Sequence, residues 1–158
     1  MSSIIATSAL AATLGVAMAT TLGAQTTAPA KKTTKSFAQT MVEDTLAAHP
    51  EADEVSIAVS GAKGCTVIAS TDKEDLGGKC EQDETEPMRT GKPYVEKEKD
   101  GFDVSVPLHD ASGALIGTLG LGFKAKAGRT EAVVIDQAKK IAAELAPRIA
   151  SKAALIGG

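Results

Sequence analysis

Hydrophobic positions change their spacing along the chain, and each change marks a new element. In residues 36–49 the apolar side chains of Phe37, Met41 and Leu46 share one broad helical face, after a serine that suits an N-cap. Pro50 ends this predicted helix, because the residue before a proline disfavours helical backbone angles. The apolar spacing then falls to two residues, which predicts strands from residue 55 onwards.

Strict alternation predicts two hairpins and one further strand. VSIAVS at 55–60 and CTVIAST at 65–71 flank the turn GAKG. Around the turn KDG, PYVEK and GFDVSVPLHD form a second hairpin, with Asp103 and Ser105 on its polar face. In ALIGTLGLGF we expect Leu115 on the apolar face and Gly120 and Gly122 on the other. Short turns between successive strands predict an antiparallel sheet, and hence an α+β fold.

Two segments complete the predicted order of elements. Residues 72–92 form a long connection, rich in acidic and turn residues, with a short helix that ends at Gly91. Its acids lack the ordered spacing of a calcium loop, which favours a solvated acidic surface. Residues 129–156 predict a C-terminal amphipathic helix that Pro147 kinks or ends.

The stretch GLGFKA at 120–125 fits the glycine pattern of dinucleotide-binding loops. That fingerprint requires a strand, a tight turn, a helix and then a second parallel strand. Here the glycines lie inside the alternating pattern, and no βαβ unit follows. We therefore interpret them as strand glycines that allow a bulge, sheet curvature or the close approach of a helix or ligand.

Length and charge narrow the function class. The chain has 158 residues, which fits a single domain, predicted at 36–158. Its net charge of −3 and its lack of tryptophan argue against a nucleic-acid partner. The residues before Lys31 form an apolar centre followed by small residues near a plausible cleavage point, so residues 1–24 are predicted to be a signal peptide, with an uncleaved anchor as the alternative. Residues 25–35 are predicted to be a flexible linker. A periplasmic or secreted location follows.

Export gives the two cysteines a simple interpretation. In an oxidising compartment Cys65 and Cys80 most simply form a disulfide, which closes a loop of about 15 residues. The alternative is a metal site that uses Cys65, Cys80, His49 and His109, although the spacings match no zinc signature; non-covalent haem on a histidine also stays open. The cofactor is therefore left unknown.

The segments VSIAVSGAKGCTVIASTDKEDLGGKC and MRTGKPYVEKEKDGFDVSVPLHDASGALIGTLGLGF together resemble the extracytoplasmic PAS-like sensor family, known as PDC or single Cache domains. The resemblance covers residues 36–124. It implies a five-stranded antiparallel sheet, flanked by N-terminal and C-terminal helices, with a small-molecule pocket beneath the 72–92 connection. It also implies a role in signal transduction, an organic acid or amino-acid-like ligand, and a membrane-bound signalling partner to which a stand-alone secreted form would pass its state.

Five side chains are the predicted ligand contacts. A bidentate arginine suits a carboxylate, a tyrosine offers a ring and a hydroxyl, and the polar strand positions suit an amine or hydroxyl group. They are Arg89, Tyr94, Asp103, Ser105 and Thr118. The chain has neither a nucleophile elbow nor a C-x-x-C pair, so we expect no enzyme activity and no catalytic residues.

Two alternatives to a ligand-binding sensor domain remain open. The first is a structural or interaction module that forms a homodimer through its helices. The second is a haem or metal carrier that uses His49 or His109.

Overall fold

The computed structural model describes residues 35–158, so the predicted signal peptide 1–24 and all but the last residue of the predicted linker lie outside the described residues. Five strands form one antiparallel sheet in the order β2-β1-β5-β4-β3. The strands are β1 (Glu54–Gly61), β2 (Gly64–Ser70), β3 (Tyr94–Lys97), β4 (Gly101–His109) and β5 (Leu115–Lys124). The helices are α1 (Phe37–Ala48), α2 (Gln82–Thr90), α3 (Glu131–Leu145) and α4 (Lys152–Gly157). In the part of the chain that the structure describes, every helix is too short or too polar to cross a bilayer.

The ends of the first two helices follow the sequence signals. The hydroxyl of Ser36 accepts a hydrogen bond from the backbone N–H of Gln39 at 3.1 Å and so caps α1. Glu81 and Glu84 form a capping box at the start of α2. At its end Gly91 takes the left-handed conformation, with φ of 68°, and its N–H binds the carbonyl of Pro87. The short helix predicted within the acidic connection is confirmed.

The C-terminal segment is two helices rather than one continuous helix. α3 ends at Leu145, and a 3-10 turn over Ala146–Arg148 contains the proline that lacks a backbone donor. Ile149 is extended and fully buried, and α4 follows. α4 returns the chain to α1, where the N–H of Phe37 donates to the carbonyl of Gly158 at 3.1 Å.

The hydrophobic core lies on one face of the sheet. It is formed by apolar side chains from β1, β4 and β5, covered by α1 and α3. Leu115 was predicted to lie on the apolar face, and this is wrong: Leu115 is 40% exposed, and Ile116 is buried in the core instead. The pairing register shifts between Leu108 and His109, and this irregularity exchanges the faces of the two residues at the start of β5.

Candidate ligand-binding cleft

The other face of the sheet carries a row of small polar residues across three adjacent strands. Gly120 in β5 pairs with Ser56 in β1 on one side and with Ser105 in β4 on the other. A Cβ atom on Gly120 would lie 2.4 Å from the Oγ of Ser56 and 3.8 Å from the Oγ of Ser105. Glycine at this position therefore keeps a space open between two hydroxyl groups.

The next row on the same face carries carboxyl groups. Gly122 pairs with Glu54 in β1 and with Asp103 in β4. A Cβ atom on Gly122 would lie 3.1 Å from the Cβ of Glu54 and 3.6 Å from the Oδ1 of Asp103. The two rows together form a floor in which the central strand is bare and the flanking strands carry hydrogen-bonding groups.

The 72–92 connection forms a roof over this floor and is fastened at two places. Near β2, Cys80 forms the predicted disulfide with Cys65, with Cα atoms 5.3 Å apart, and the N–H of Val67 donates to the carbonyl of Gly78 at 3.0 Å. At the other end α2 lies over β3, β4 and β5. There the buried hydroxyl of Thr118 donates to the carbonyl of Glu84 at 2.7 Å.

Between floor and roof lies a cleft of about 540 Å³, and its charged groups are almost all acidic. Lys79 is the one cationic side chain in the lining among the described residues. Eight acidic residues line the same cleft: Glu54, Asp75, Glu81, Asp83, Glu84, Glu96, Glu98 and Asp103.

Crowding of like charges in a partly buried cleft perturbs the ionisation of these acids. Burial, with a hydrogen bond that the protonated carboxyl group donates to Asp75 and the charges nearby, raises the pKa of Glu54 to about 7. Burial and the neighbouring Asp83 raise the pKa of Glu84 to about 7. Burial, followed by the charge of Glu98, also raises the pKa of Asp103. The cleft therefore holds more protons near neutral pH than exposed carboxyl groups would.

One hydroxyl of the floor lacks a hydrogen-bond partner within the described residues. Ser56 is 9% exposed and lines the cleft, yet its Oγ neither donates nor accepts a hydrogen bond there. Ser105, at 3% exposed, has a distant partner, since its Oγ lies 3.5 Å from the Oδ2 of Asp83. A hydroxyl that opens onto the cleft without a protein partner is available to a ligand.

The five predicted contacts divide between the cleft and its surroundings. Asp103 and Ser105 line the cleft. Thr118 lies beneath α2, with its hydroxyl bound to a backbone carbonyl. Tyr94 pairs with Ser105 across β3 and β4 but lies outside the lining, and the guanidinium of Arg89 binds Glu86 on the exposed side of α2.

Sequence reasoning did not select Glu54, Ser56 or Glu84. The bare positions Gly120 and Gly122 were the available signal, because a glycine in a strand marks a place where another group approaches the backbone. Identifying the neighbours of those glycines requires the register of β1 on β5, and those two strands are far apart in sequence.

The two histidines lie elsewhere in the fold. At the end of α1, His49 has its Nδ1 3.3 Å from Glu51 and its Nε2 3.0 Å from Glu144, so both ring nitrogens face carboxylates. His109 is exposed at the end of β4, beside a smaller apolar cleft of about 260 Å³ against α3. Neither histidine lines the acidic cleft.

Several solved structures are similar to this chain at low sequence identity. A type II free methionine-R-sulfoxide reductase from Thermoplasma acidophilum is 15% identical, with a TM-score of 0.52 over 71% of this chain and 86% of that chain. The inducer-binding domain of the Acinetobacter transcription factor PobR is 11% identical, with a TM-score of 0.45 over 71% and 97% of the two chains. The GAF domain of an Acinetobacter phosphoenolpyruvate-protein phosphotransferase is 16% identical, with a TM-score of 0.45 over 68% and 80%.

The likeness to the reductase concerns the fold alone. The predicted α+β architecture is confirmed, because the described residues form an antiparallel five-stranded sheet with helices on both sides. No protein-family model matches the chain, and no curated protein matches it in sequence. The narrower resemblance to extracytoplasmic PDC or single Cache domains stays a prediction.

Proposed function

We propose that this domain binds a small molecule in the cleft between the sheet and the 72–92 connection, and that it acts as a sensor-like binding domain outside the cytoplasm. The observation that carries the proposal is the bare central strand beneath a fastened roof. Gly120 and Gly122 leave the floor open, and the disulfide and α2 hold the connection above it.

The size and composition of the cleft support binding over a purely structural role. Small-molecule sites typically have volumes of roughly 300–1,000 Å³, and this cleft falls within that range at about 540 Å³. An interaction module with a filled interior would place packed apolar side chains on this face. Here the corresponding positions carry serines, glycines and carboxyl groups.

The chemistry of the cleft favours binding without catalysis. Nucleophilic catalysis by serine needs a base within hydrogen-bond reach. Among the described residues, the lining contains no histidine and no cysteine, the Oγ of Ser56 has no partner, and the carboxylate of Asp83 lies 3.5 Å from the Oγ of Ser105, at the limit of hydrogen-bond reach. Carboxyl groups and hydroxyls at these positions suit the orientation of a bound ligand.

The disulfide supports the proposed location. Bonds of this kind persist in oxidising compartments, and the Cys65–Cys80 bond fastens the roof of the proposed site. Correct assembly of the cleft would then accompany export.

A ligand screen on the full, oxidised chain tests this function. Thermal unfolding is followed with a panel of amino acids, dicarboxylates, polyamines and sugars, and each hit is checked by native mass spectrometry. We expect one class to raise Tm and to bind one molecule per chain.

Matched glycine variants locate the site of binding. Gly120→Val places a side chain between the two hydroxyls, whereas Gly61→Val adds the same side chain at the exposed end of β1. Binding should be lost in the first variant and retained in the second, with Gly122→Ala as a milder replacement if Gly120→Val does not fold. Failure of every compound in the panel to bind, or full binding by folded Gly120→Val and Gly122→Ala, would contradict the proposal.

A further inference from the structure

We infer that the ligand of this cleft is an organic cation with at least two ammonium groups, such as a linear diamine or triamine. The inference depends on the proposed function and specifies its ligand class. It rests on the charge of the lining, on an unpartnered hydroxyl in the floor and on the spacing of the floor rows.

The negative charge of the cleft lining favours a cationic ligand. Eight carboxyl groups against one ammonium group line a single cleft, so an anionic ligand would enter against like charges on the floor and the roof. The arginine predicted to hold a carboxylate lies outside the lining and is already bound to Glu86. This distribution disfavours the organic acid predicted from the resemblance.

The floor offers an acceptor that the protein leaves unused. Ser56 is 9% exposed and lines the cleft, and its Oγ lacks a hydrogen-bond partner among the described residues. An ammonium group has three donors and no acceptor, so a hydroxyl oxygen beside carboxyl groups matches its needs. This observation is independent of the acidic composition.

The two floor rows favour an elongated ligand. The hydroxyl row at Gly120 and the carboxyl row at Gly122 are two residues apart along β5, roughly 7 Å by strand geometry. A chain of about four methylene groups spans a similar distance. Because both glycines lack side chains, such a chain would lie along the bare strand with one ammonium group near each row.

The arrangement of the acids disfavours a single metal ion. In the described part of the chain, one group of three carboxylates has its oxygens within 4.8 Å of one another: Glu54, Asp72 and Asp75. Calcium takes about six to eight oxygen ligands at bonding distance. Asp72 lies outside the cleft lining, and the remaining acids are distributed along the floor and the roof. Distributed charge suits a ligand whose own charges are separated.

Isothermal titration of the full, oxidised chain tests the inference with four named probes: putrescine, spermidine, succinate and calcium chloride. We expect spermidine to bind more tightly than putrescine, with no binding of succinate. Asp103→Asn should weaken spermidine binding about fivefold or more, because it removes one floor carboxylate. Asp136→Asn makes the same chemical change on the exposed surface of α3 and should alter binding by less than about twofold.

Other outcomes separate the two proposals. Binding of succinate in place of the amines, abolished by Gly120→Val, would overturn the cationic ligand and leave the proposed function intact. Binding of calcium alone, or amine binding that Asp103→Asn does not weaken, would also overturn the inference. Absence of binding by all four probes and by the wider panel would overturn both proposals.

Discussion

The two faces of the sheet use the same three central strands in opposite ways. On one face, large apolar side chains meet in a row and are covered by α1 and α3. One residue further along, the row on the other face has two hydroxyls and no central side chain, and it opens into the cleft. The two rows are Ile57–Leu119–Val106 and Ser56–Gly120–Ser105.

This difference separates stability from binding within a single sheet. Leu119 is fully buried among apolar neighbours, and burial of this kind provides the main favourable free energy of folding. Gly120 and its flanking serines bury little apolar area, and they leave groups available to a ligand. Substitutions on the two faces should therefore affect different measurements.

The largest expected effect comes from emptying the apolar row. Leu119→Ala should lower the free energy of unfolding by about 2–5 kcal/mol, because it removes buried methyl groups and leaves a cavity. Urea unfolding followed by circular dichroism measures the change. A loss below about 1 kcal/mol would show that this face is less tightly packed than described.

Removing the disulfide that fastens the roof should lower the free energy of unfolding somewhat less. Replacing both Cys65 and Cys80 with serine removes a loop constraint of about 15 residues and should lower the free energy of unfolding by about 3 kcal/mol. The backbone bonds between Val67 and the 77–78 segment remain, so the sheet itself should persist. Urea unfolding of the variant, with and without reductant, checks both statements. If reductant lowers the free energy of unfolding of the double variant, the change does not come from loss of the Cys65–Cys80 bond.

In the polar row, substitutions should affect ligand affinity more than the free energy of unfolding. Ser56→Ala removes a hydroxyl without a partner, so the free energy of unfolding of the ligand-free protein should change little or rise. Spermidine affinity should fall about tenfold through loss of one hydrogen bond to a charged group. Parallel titration and urea unfolding compare the two quantities. A large loss of stability with unchanged affinity would mean that Ser56 belongs to the core.

The last prediction concerns the pH dependence of stability. The raised pKa of Glu54, about 7 in the fold against 4.5 as its ordinary value, stabilises the ligand-free fold fully below pH 4.5. That contribution is lost as pH rises through 7, because burial, and then the charges of Asp75, Asp103 and Asp72, disfavour the charged form of Glu54. Tm should therefore fall between pH 5 and pH 8, with a shallower slope in Glu54→Gln. An unchanged slope in that variant would assign the pH dependence to other groups.

Much of the fold could be predicted because its signals are local. The alternation in β4 placed Asp103 and Ser105 together on the polar face, and Gly91 marked the end of α2. Leu115 was assigned to the wrong face, because nothing in its own segment reveals the register shift opposite Leu108 and His109.

The rest of the site depends on contacts between distant segments. Glu54 and Ser56 become floor residues through the pairing of β1 with β5, which the local pattern does not specify. Arg89 looked suited to a carboxylate ligand, but Glu86 lies one turn earlier on the same helix and binds its guanidinium. The side-chain type was visible in the sequence, while its direction and partner were not.

Amide chemical shifts of the isotopically labelled, oxidised chain, recorded during a spermidine titration, report which face of the sheet the ligand contacts. We expect saturable shifts at Gly120 and Gly122, and much smaller ones at Ala138 and Ile141, which are buried residues of α3 on the opposite face of the sheet. Shifts centred on α3, or none at either glycine when spermidine is in excess, would contradict this expectation.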